Sequence, residues 1–87
     1  MAKYKIVFKR SVAKDLRKIE KKDIERIMTT IGKLADDPRG TGCTKLSSLE
    51  RYRTRVGLYR IIYEVQDTKL VVQVVKVGHR SSVYKSN

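Results

Sequence analysis

This 87-residue sequence has little or none of the residues on which several kinds of site depend. Cys43 is its single cysteine, which excludes an internal disulfide. His79 is its single histidine, so no cysteine–histidine cluster is available for zinc. One cysteine and one histidine at a strand end also give no basis for a thiol nucleophile. We therefore treat Cys43 as incidental and expect neither a metal nor another cofactor.

The sequence also has few features that direct a chain to a membrane or out of the cell. After Met1 the first apolar stretch, Ile6–Phe8, has three residues, which is too short for a secretory signal. It shows no long apolar helix and no lipidation signal. We therefore expect a protein of the reducing cytoplasm, without a membrane partner.

Acidic residues are scarce as well, because 9 aspartates and glutamates stand against 21 lysines and arginines, a net charge of +12. Hydrophobic residues make up 40% of the chain, enough for one compact core, and no repeat or linker divides it. We therefore expect a single domain over residues 1–87. So much positive charge on a small surface favours nucleic acid or an acidic protein as the partner.

Hydrophobic periodicity predicts the first half of the fold. Lys3–Arg10 alternates as a strand does, with Tyr4, Ile6 and Phe8 on one face. Ser11 offers a hydroxyl to cap a first helix, and Asp23 offers a carboxylate to cap a second. Two apolar stripes at helical spacing follow: Val12, Leu16 and Ile19, then Ile24, Ile27, Met28, Ile31, Leu34 and Ala35. Asp36–Gly40 ends the second helix.

The second half has the pattern of a loop followed by strands. Thr41–Glu50 is polar and predicts a loop, and three strands follow: Arg51–Val56, Tyr59–Gln66 and Lys69–Val77. Gly57-Leu58 suits a two-residue type II′ turn with glycine first, and Asp67-Thr68 suits a second tight turn. A strand, a two-helix hairpin and a three-stranded antiparallel meander indicate an α+β fold. Its helices cover one face of a mostly antiparallel sheet.

Arginine recurs at every second position just before the Gly57-Leu58 turn. Residues two apart share a face of a strand, so these guanidinium groups lie together. The turn sets three cross-strand pairs: Arg51 with Glu64, Arg53 with Ile62, and Arg55 with Arg60. Opposed like charges destabilise a sheet by up to ~1 kcal/mol, so an anion such as a nucleic-acid phosphate is expected beside the last two pairs. A solvated basic face without a ligand is the alternative.

The motifs around this turn resemble those of a known family. The segment YRTRVGLYRIIYEV at residues 52–65 is followed by VKVGHR at 75–80 and by Val83-Tyr84. This combination resembles the RelE family of bacterial and archaeal toxins, within the RelE/ParE superfamily of type II toxin–antitoxin systems. The resemblance covers nearly the whole chain, including the two helices and the Asp-Pro-Arg loop, and it implies a RelE-like fold.

The resemblance implies a toxin that acts as a metal-independent endoribonuclease, an mRNA interferase. Such an enzyme cuts messenger RNA in the ribosomal A site by attack of the 2′-hydroxyl on the adjacent phosphorus. The cut leaves a 2′,3′-cyclic phosphate and a 5′-hydroxyl, and it inhibits translation. The implied partners are the ribosome with its RNA, the messenger, and a RelB-type antitoxin that neutralises the toxin in a heteromeric complex.

The resemblance also gives roles to residues of this sequence. Arg53 and Arg55 stand where the family often has lysines, and Arg60 matches the arginine of its Tyr-Arg motif. Arg80 matches the arginine after Val-Gly-x, and Tyr84 matches a tyrosine that stacks on a base. The implied catalytic set is Arg53, Arg55, Arg60, Arg80 and Tyr84, with Lys45 and His79 as further RNA-binding candidates.

Arginine in place of lysine removes one expected function from this strand. A lysine among positive charges can lose its proton and act as a base, whereas arginine stays protonated. Histidine exchanges protons near neutrality, so His79 is the candidate that could replace the base. His79 is adjacent to Arg80, however, and strand alternation points the two side chains apart, which favours a surface or packing role for His79. A slower enzyme that relies on charge stabilisation alone is a further possibility.

Two other functions fit the same sequence. ParE-type relatives resemble this chain in fold yet inhibit DNA gyrase and do not cut RNA. A basic RNA-binding module would bind in a salt-dependent manner without cleaving. Metabolic labelling distinguishes the toxins, because one stops protein synthesis and the other stops DNA synthesis.

Overall fold

The computed structural model describes residues 3–46 and 50–79. In chain order they form β1 (Lys5–Phe8), α1 (Val12–Arg17), α2 (Lys21–Asp36), β2 (Thr44–Lys45), β3 (Arg51–Val56), β4 (Tyr59–Gln66) and β5 (Val71–His79). The strands make one sheet in the order β1-β5-β4-β3-β2, in which β1 and β5 are parallel and the other pairs antiparallel. The predicted α+β fold is confirmed, with both helices on one face of the sheet.

The hydrophobic core lies between α2 and the face of the sheet that the odd-numbered residues of β4 occupy. Ile61 and Tyr63 are fully buried on that face. Helical spacing brings Ile27, Ile31 and Leu34 of α2 onto them. Burial of one such side chain contributes about 1.5–3 kcal/mol, so this contact fixes α2 above the sheet. The even-numbered residues of β4 are left on the opposite face.

A β-bulge keeps both ends of β5 in register with this core. Tyr63 of β4 pairs with Val74, but its neighbour Ile62 pairs with Lys76, so Val75 is an extra residue. The alternation of buried positions therefore shifts by one after the bulge. As a result residues 74 and 77, three apart, both face the core.

Helix α1 closes the edge of β5 beyond the end of β1. The carboxylate of Asp15 accepts a hydrogen bond from the backbone N–H of Val77 at 3.2 Å. Its other oxygen lies 3.7 Å from Nζ of Lys76. The carboxylate thus supplies the acceptor that a neighbouring strand would otherwise provide.

The N-terminal caps of both helices differ from the sequence prediction. Ser11 does precede α1, but it has helical φ and ψ of −64° and −19°, and its hydroxyl makes no capping hydrogen bond. The prediction that Asp23 caps the second helix is wrong, because α2 begins at Lys21 after Glu20. Asp23 lies in the first turn, where a carboxylate is favoured by the positive end of the helix dipole.

Two segments between strands also differ from the prediction. The predicted loop Thr41–Glu50 contains β2, whose two residues pair with β3. The predicted two-residue turn at Asp67-Thr68 is wrong, because β4 ends at Gln66 and β5 begins at Val71. Leu70 closes this longer turn with a φ of 53°, a left-handed conformation that a leucine seldom adopts.

Neither helix in the described part of the chain is long and apolar enough to cross a membrane.

Tyr63 ties the sheet to the end of α2 and gives a first test of the fold. Its hydroxyl donates to the carbonyl of the buried Pro38, and burial raises the pKa of Tyr63. The Tyr63→Phe substitution should lower the free energy of unfolding by about 1 kcal/mol, because the buried carbonyl of Pro38 loses its hydrogen-bond donor. Urea denaturation followed by circular dichroism measures this difference. An unchanged midpoint would show that this hydrogen bond contributes nothing to stability.

Candidate nucleic-acid interface

The β3–β4 hairpin carries the candidate site, and its turn has the predicted form. Gly57 has a φ of 58°, which the first turn residue of type II′ requires. The turn sets the cross-strand pairs, which are Arg51 with Glu64, Arg53 with Ile62, and Arg55 with Arg60. The predicted register is therefore confirmed. Because paired residues point to the same side, these arginines share the face opposite the helices, which we call the arginine face.

Arg51 is held by a carboxylate from the neighbouring strand. Its guanidinium donates to Oε2 of Glu64 through Nη2 at 2.5 Å and through Nε at 3.2 Å. Two donors on one carboxylate make a charge-assisted pair that holds β3 to β4. This pair gives Arg51 a structural role.

The remaining three arginines differ in how far solvent reaches them. Arg55 is exposed and Arg53 is half-buried, whereas Arg60 is only 1% exposed. A phosphate in solution can therefore reach Arg55 and Arg53 directly. Contact with Arg60 requires a movement of the groups that cover it. The field of a buried charge is screened little by salt, so Arg60 still adds positive potential to this face.

Lys45 and His79 lie on the helix-facing side of the sheet. Lys45 pairs with Tyr52 across β2 and β3, and its Nζ is 3.4 Å from Oε1 of Glu50. His79 pairs with Tyr59 across β4 and β5, and the two rings meet edge to face with centroids 5.8 Å apart. The sheet therefore separates both side chains from the arginine face.

The other two residues of the predicted catalytic set, Arg80 and Tyr84, lie outside the described residues. Within residues 3–46 and 50–79, no group of three or more histidine, cysteine, aspartate or glutamate side chains is arranged to hold a metal ion. The chemistry of the described arginine face is that of fixed positive charge with planar arrays of donors. Such groups can hold a phosphate and stabilise added negative charge, but they cannot take up a proton.

A second polar cluster, which the sequence did not predict, lies around Arg39 at the opposite end of β3 and β4. The guanidinium of Arg39 donates to Oδ2 of Asp67 at 2.7 Å, to Oε2 of Glu50 at 2.8 Å and to the hydroxyl of Tyr52 at 2.8 Å. The hydroxyl of Tyr4 donates to Oδ1 of Asp67 at 2.8 Å. We call these five residues the Arg39 cluster. It joins the chain before β1, the loop after α2, β3 and the β4–β5 turn.

The Arg39 cluster shifts the pKa values of its own members. Hydrogen bonds from Arg39 hold the pKa values of the Asp67 and Glu50 carboxyls below their ordinary values. The hydrogen bond to Asp67 is the main cause that raises the pKa of Arg39 and that of Tyr4. The partners of Arg39 lie 11 to 28 positions away in the chain. No local sequence pattern could therefore have revealed the cluster.

Comparison with known proteins gives this chain a family. The family described as the ParE toxin of the type II toxin–antitoxin system parDE matches residues 6–84. An Escherichia coli protein named for its likeness to RelE toxins is 28% identical to this chain, and the match covers 94% of this chain and 90% of the length of the E. coli protein.

Solved structures share the fold. The isolated E. coli RelE toxin superposes with a TM-score of 0.79 at 28% identity, covering 95% of this chain and 93% of that one. A chain of the intact E. coli RelBE toxin–antitoxin complex superposes with a TM-score of 0.78 at 26% identity, covering 87% and 95%. The predicted RelE-like fold is thereby confirmed. Since the family match spans most of the sequence, this chain belongs to the ParE toxin family of type II toxin–antitoxin systems, within the RelE/ParE superfamily.

Proposed function

We propose that this protein is a ribosome-dependent endoribonuclease, which cuts messenger RNA in the A site and stops translation. The observation that carries the proposal is the arginine face, where Arg53, Arg55 and Arg60 lie together beside the Arg51–Glu64 pair. Guanidinium groups that share one face create a positive potential and present planar arrays of donors, and both properties favour the binding of a phosphodiester. The shared fold with the E. coli RelE toxin supports the proposal.

In the proposed reaction the 2′-oxygen attacks the neighbouring phosphorus. A bond from O2′ to phosphorus forms, the bond from phosphorus to O5′ breaks, and the products are a 2′,3′-cyclic phosphate and a 5′-hydroxyl. The exposed guanidinium of Arg55 can donate two parallel hydrogen bonds to the phosphoryl oxygens as their charge grows. Arg53 assists it directly, and Arg60 adds positive potential from its buried position.

The proton of the 2′-hydroxyl passes to a base that the arginines cannot supply, and O5′ gains a proton as it leaves. His79 shares the helix-facing side with Tyr59, which argues against it as that base. Arg80 and Tyr84 stay candidates for the site, with Tyr84 proposed to stack on a base of the messenger. Because ribosomes carry the substrate, the proposed activity belongs to the cytoplasm.

We further propose a RelB-type antitoxin as the partner in a heteromeric complex, as in the E. coli RelBE structure. An apolar groove on the helix side suits an amphipathic, acidic segment of such a partner. Phe8 and Met28 flank the groove at 39% and 41% exposure, and Leu16 lies in its floor. Lys9 and Arg10 form a basic rim. Met28, predicted within the apolar face of the second helix, is therefore at the border of that face.

Primer extension on messenger RNA bound to programmed ribosomes tests the proposed activity. Wild-type toxin should cut within the A-site codon and leave ends with a 2′,3′-cyclic phosphate. Free RNA should be cut poorly, because the described arginine face has no residue that can take up a proton. Binding to RNA or ribosomes without any cut product would contradict the proposal and leave an RNA-binding module.

Inhibition of DNA gyrase is the second candidate function, because the matching family is named for ParE toxins. Metabolic labelling after induction of the toxin separates the two functions. We expect incorporation of amino acids to collapse within the first minutes while incorporation of thymidine continues. Early collapse of thymidine incorporation with continued protein synthesis would contradict the nuclease and support the gyrase inhibitor.

A further inference from the structure

We propose that the cleft beside the β3–β4 turn binds one unstacked base of the RNA substrate. The cleft has a volume of about 180 Å³ and is lined by Asp23, Arg26, Val56, Gly57, Leu58 and Tyr59. The inference rests on the proposed nuclease function and adds a base contact to the phosphate contacts of the arginine face. Its walls, its size and its position each support the assignment.

Leu58 forms an apolar wall of the cleft. It is 62% exposed, the most exposed of the large apolar side chains that the structure describes. The second position of a type II′ turn suits asparagine or serine, so the turn itself does not require leucine there. A single exposed leucine is ordinary on a protein surface, but this one lies at the hairpin tip and lines the same cleft as the guanidinium of Arg26.

The guanidinium of Arg26 forms the facing wall. A Cβ atom at Gly57 would lie 3.5 Å from both of its terminal nitrogens, so the planar group packs over the glycine of the turn. Nη1 lies 4.0 Å from Oδ1 of Asp23, and 64% of the Arg26 side chain is exposed. A ligand can therefore reach the outer side of the guanidinium. Unstacked RNA bases pack on such guanidinium planes as they do on aromatic rings.

The size and polarity of the cleft limit what it can hold. An apolar cavity of ~150 Å³ takes up a benzene molecule, so this cleft suits one small ring. Drug-sized ligands need pockets of ~300 Å³ or more, which the cleft does not offer. The carboxylate of Asp23 can accept a hydrogen bond from an exocyclic amine. These limits favour cytosine over uracil and over a purine.

The position of the cleft lets one RNA strand contact it and the arginine face together. Arg55 and Val56 are consecutive in β3, so they point to opposite faces close to the hairpin tip. A strand whose phosphate binds Arg55 can turn over the tip at Leu58. It then places the base of a neighbouring nucleotide in the cleft.

Two substitutions remove one wall each. The Leu58→Asn variant keeps a residue that suits the turn, and the Arg26→Ala variant removes the guanidinium plane. Each should raise the toxin concentration needed for half-maximal cleavage on programmed ribosomes ~10-fold and change the maximal rate little, as expected for a lost base stack. Leu70→Asn is the matched control. Leu70 is 45% exposed in the other hairpin turn, and asparagine tolerates its left-handed φ of 53°, so this variant should cleave as wild type does.

Messengers with a single abasic site give the deciding measurement. At one position near the cut, loss of the base should weaken cleavage by the wild-type toxin about as much as the Leu58→Asn substitution weakens cleavage of the intact messenger. Cleavage by the Leu58→Asn variant should not be weakened further by loss of that base. Equal losses for wild type and variant at every position would overturn the cleft as a base site. So would variants that cleave as wild type does, or that lose only affinity for the antitoxin. If wild-type toxin cuts no messenger on ribosomes, the proposed function fails and the cleft fails with it.

Discussion

Replacing Arg55 with alanine should lower the rate of messenger cleavage on programmed ribosomes at least ~100-fold, the usual cost of losing one donor to a growing oxyanion. Arg55 is the exposed member of the arginine face, so it can contact a phosphate without any rearrangement of the sheet. Single-turnover primer extension measures the rate. Growth arrest after induction should weaken in parallel.

The same substitution should leave the fold at least as stable as before. Arg55 is exposed, so loss of its side chain leaves no cavity, and removal of one positive charge from a chain of net charge +12 lowers the self-repulsion of the folded state. Urea denaturation of the Arg55→Ala variant measures this. A variant that loses activity and stability together would indicate that Arg55 is structural, which contradicts the proposed site.

Arg51 provides the matched control for Arg55. It lies on the same strand and the same face, but its guanidinium is bound to Glu64. Arg51→Ala should therefore cleave close to the wild-type rate. An equal loss in both variants would mean that net charge alone attracts the RNA. Arg60→Ala is a poorer test, because removal of a side chain that is 1% exposed leaves a cavity and weakens the fold as well.

The hairpin at the centre of this site was predictable because its geometry is local. A glycine-first two-residue turn leaves one register, and that register by itself pairs Arg51 with Glu64 and Arg55 with Arg60. The inner strand ends, Val56 and Tyr59, follow from the same turn, and the predicted bounds Arg51–Val56 and Tyr59–Gln66 agree with the structure. Period-two alternation also separated the core residues of β3 from its arginines.

Features that depend on distant contacts were not predictable. The two residues of β2 form a strand only because β3 lies beside them. Leu70 adopts a left-handed φ that the local sequence does not predict. The burial of Arg60 likewise depends on packing around the sheet, since a charged residue on an alternating strand is expected in solvent. The sequence could thus predict which arginines share the arginine face, but not how far solvent reaches each guanidinium.

The Arg39 cluster is the clearest feature that sequence did not show, and its loss should have a large effect on stability. Arg39→Ala should lower the free energy of unfolding by about 2 kcal/mol at pH 7, because several charge-assisted hydrogen bonds vanish and two carboxylates lose their shared cation. This loss is smaller than the summed contributions of the separate hydrogen bonds, because the Arg39 side chain is 35% exposed and solvent screens its charge. Urea denaturation measures it. Lys22→Ala is the matched control, because Lys22 is 79% exposed and pairs only loosely with Glu20 at 3.8 Å, so little stability should be lost.

The pH dependence of stability follows from the same cluster. The folded pKa values of Asp67 and Glu50 lie below their ordinary values of 3.8 and 4.5, so their contribution is fully present above that range. This contribution to stability is lost as the pH falls through the lower pKa values of the folded state, because the two carboxylates then become protonated and lose their charge. Wild type and Arg39→Ala should therefore differ most at neutral pH and converge in acid. A difference between them that stays constant from pH 7 to well below 3.8 would show that Arg39 acts through packing and not through these carboxylates.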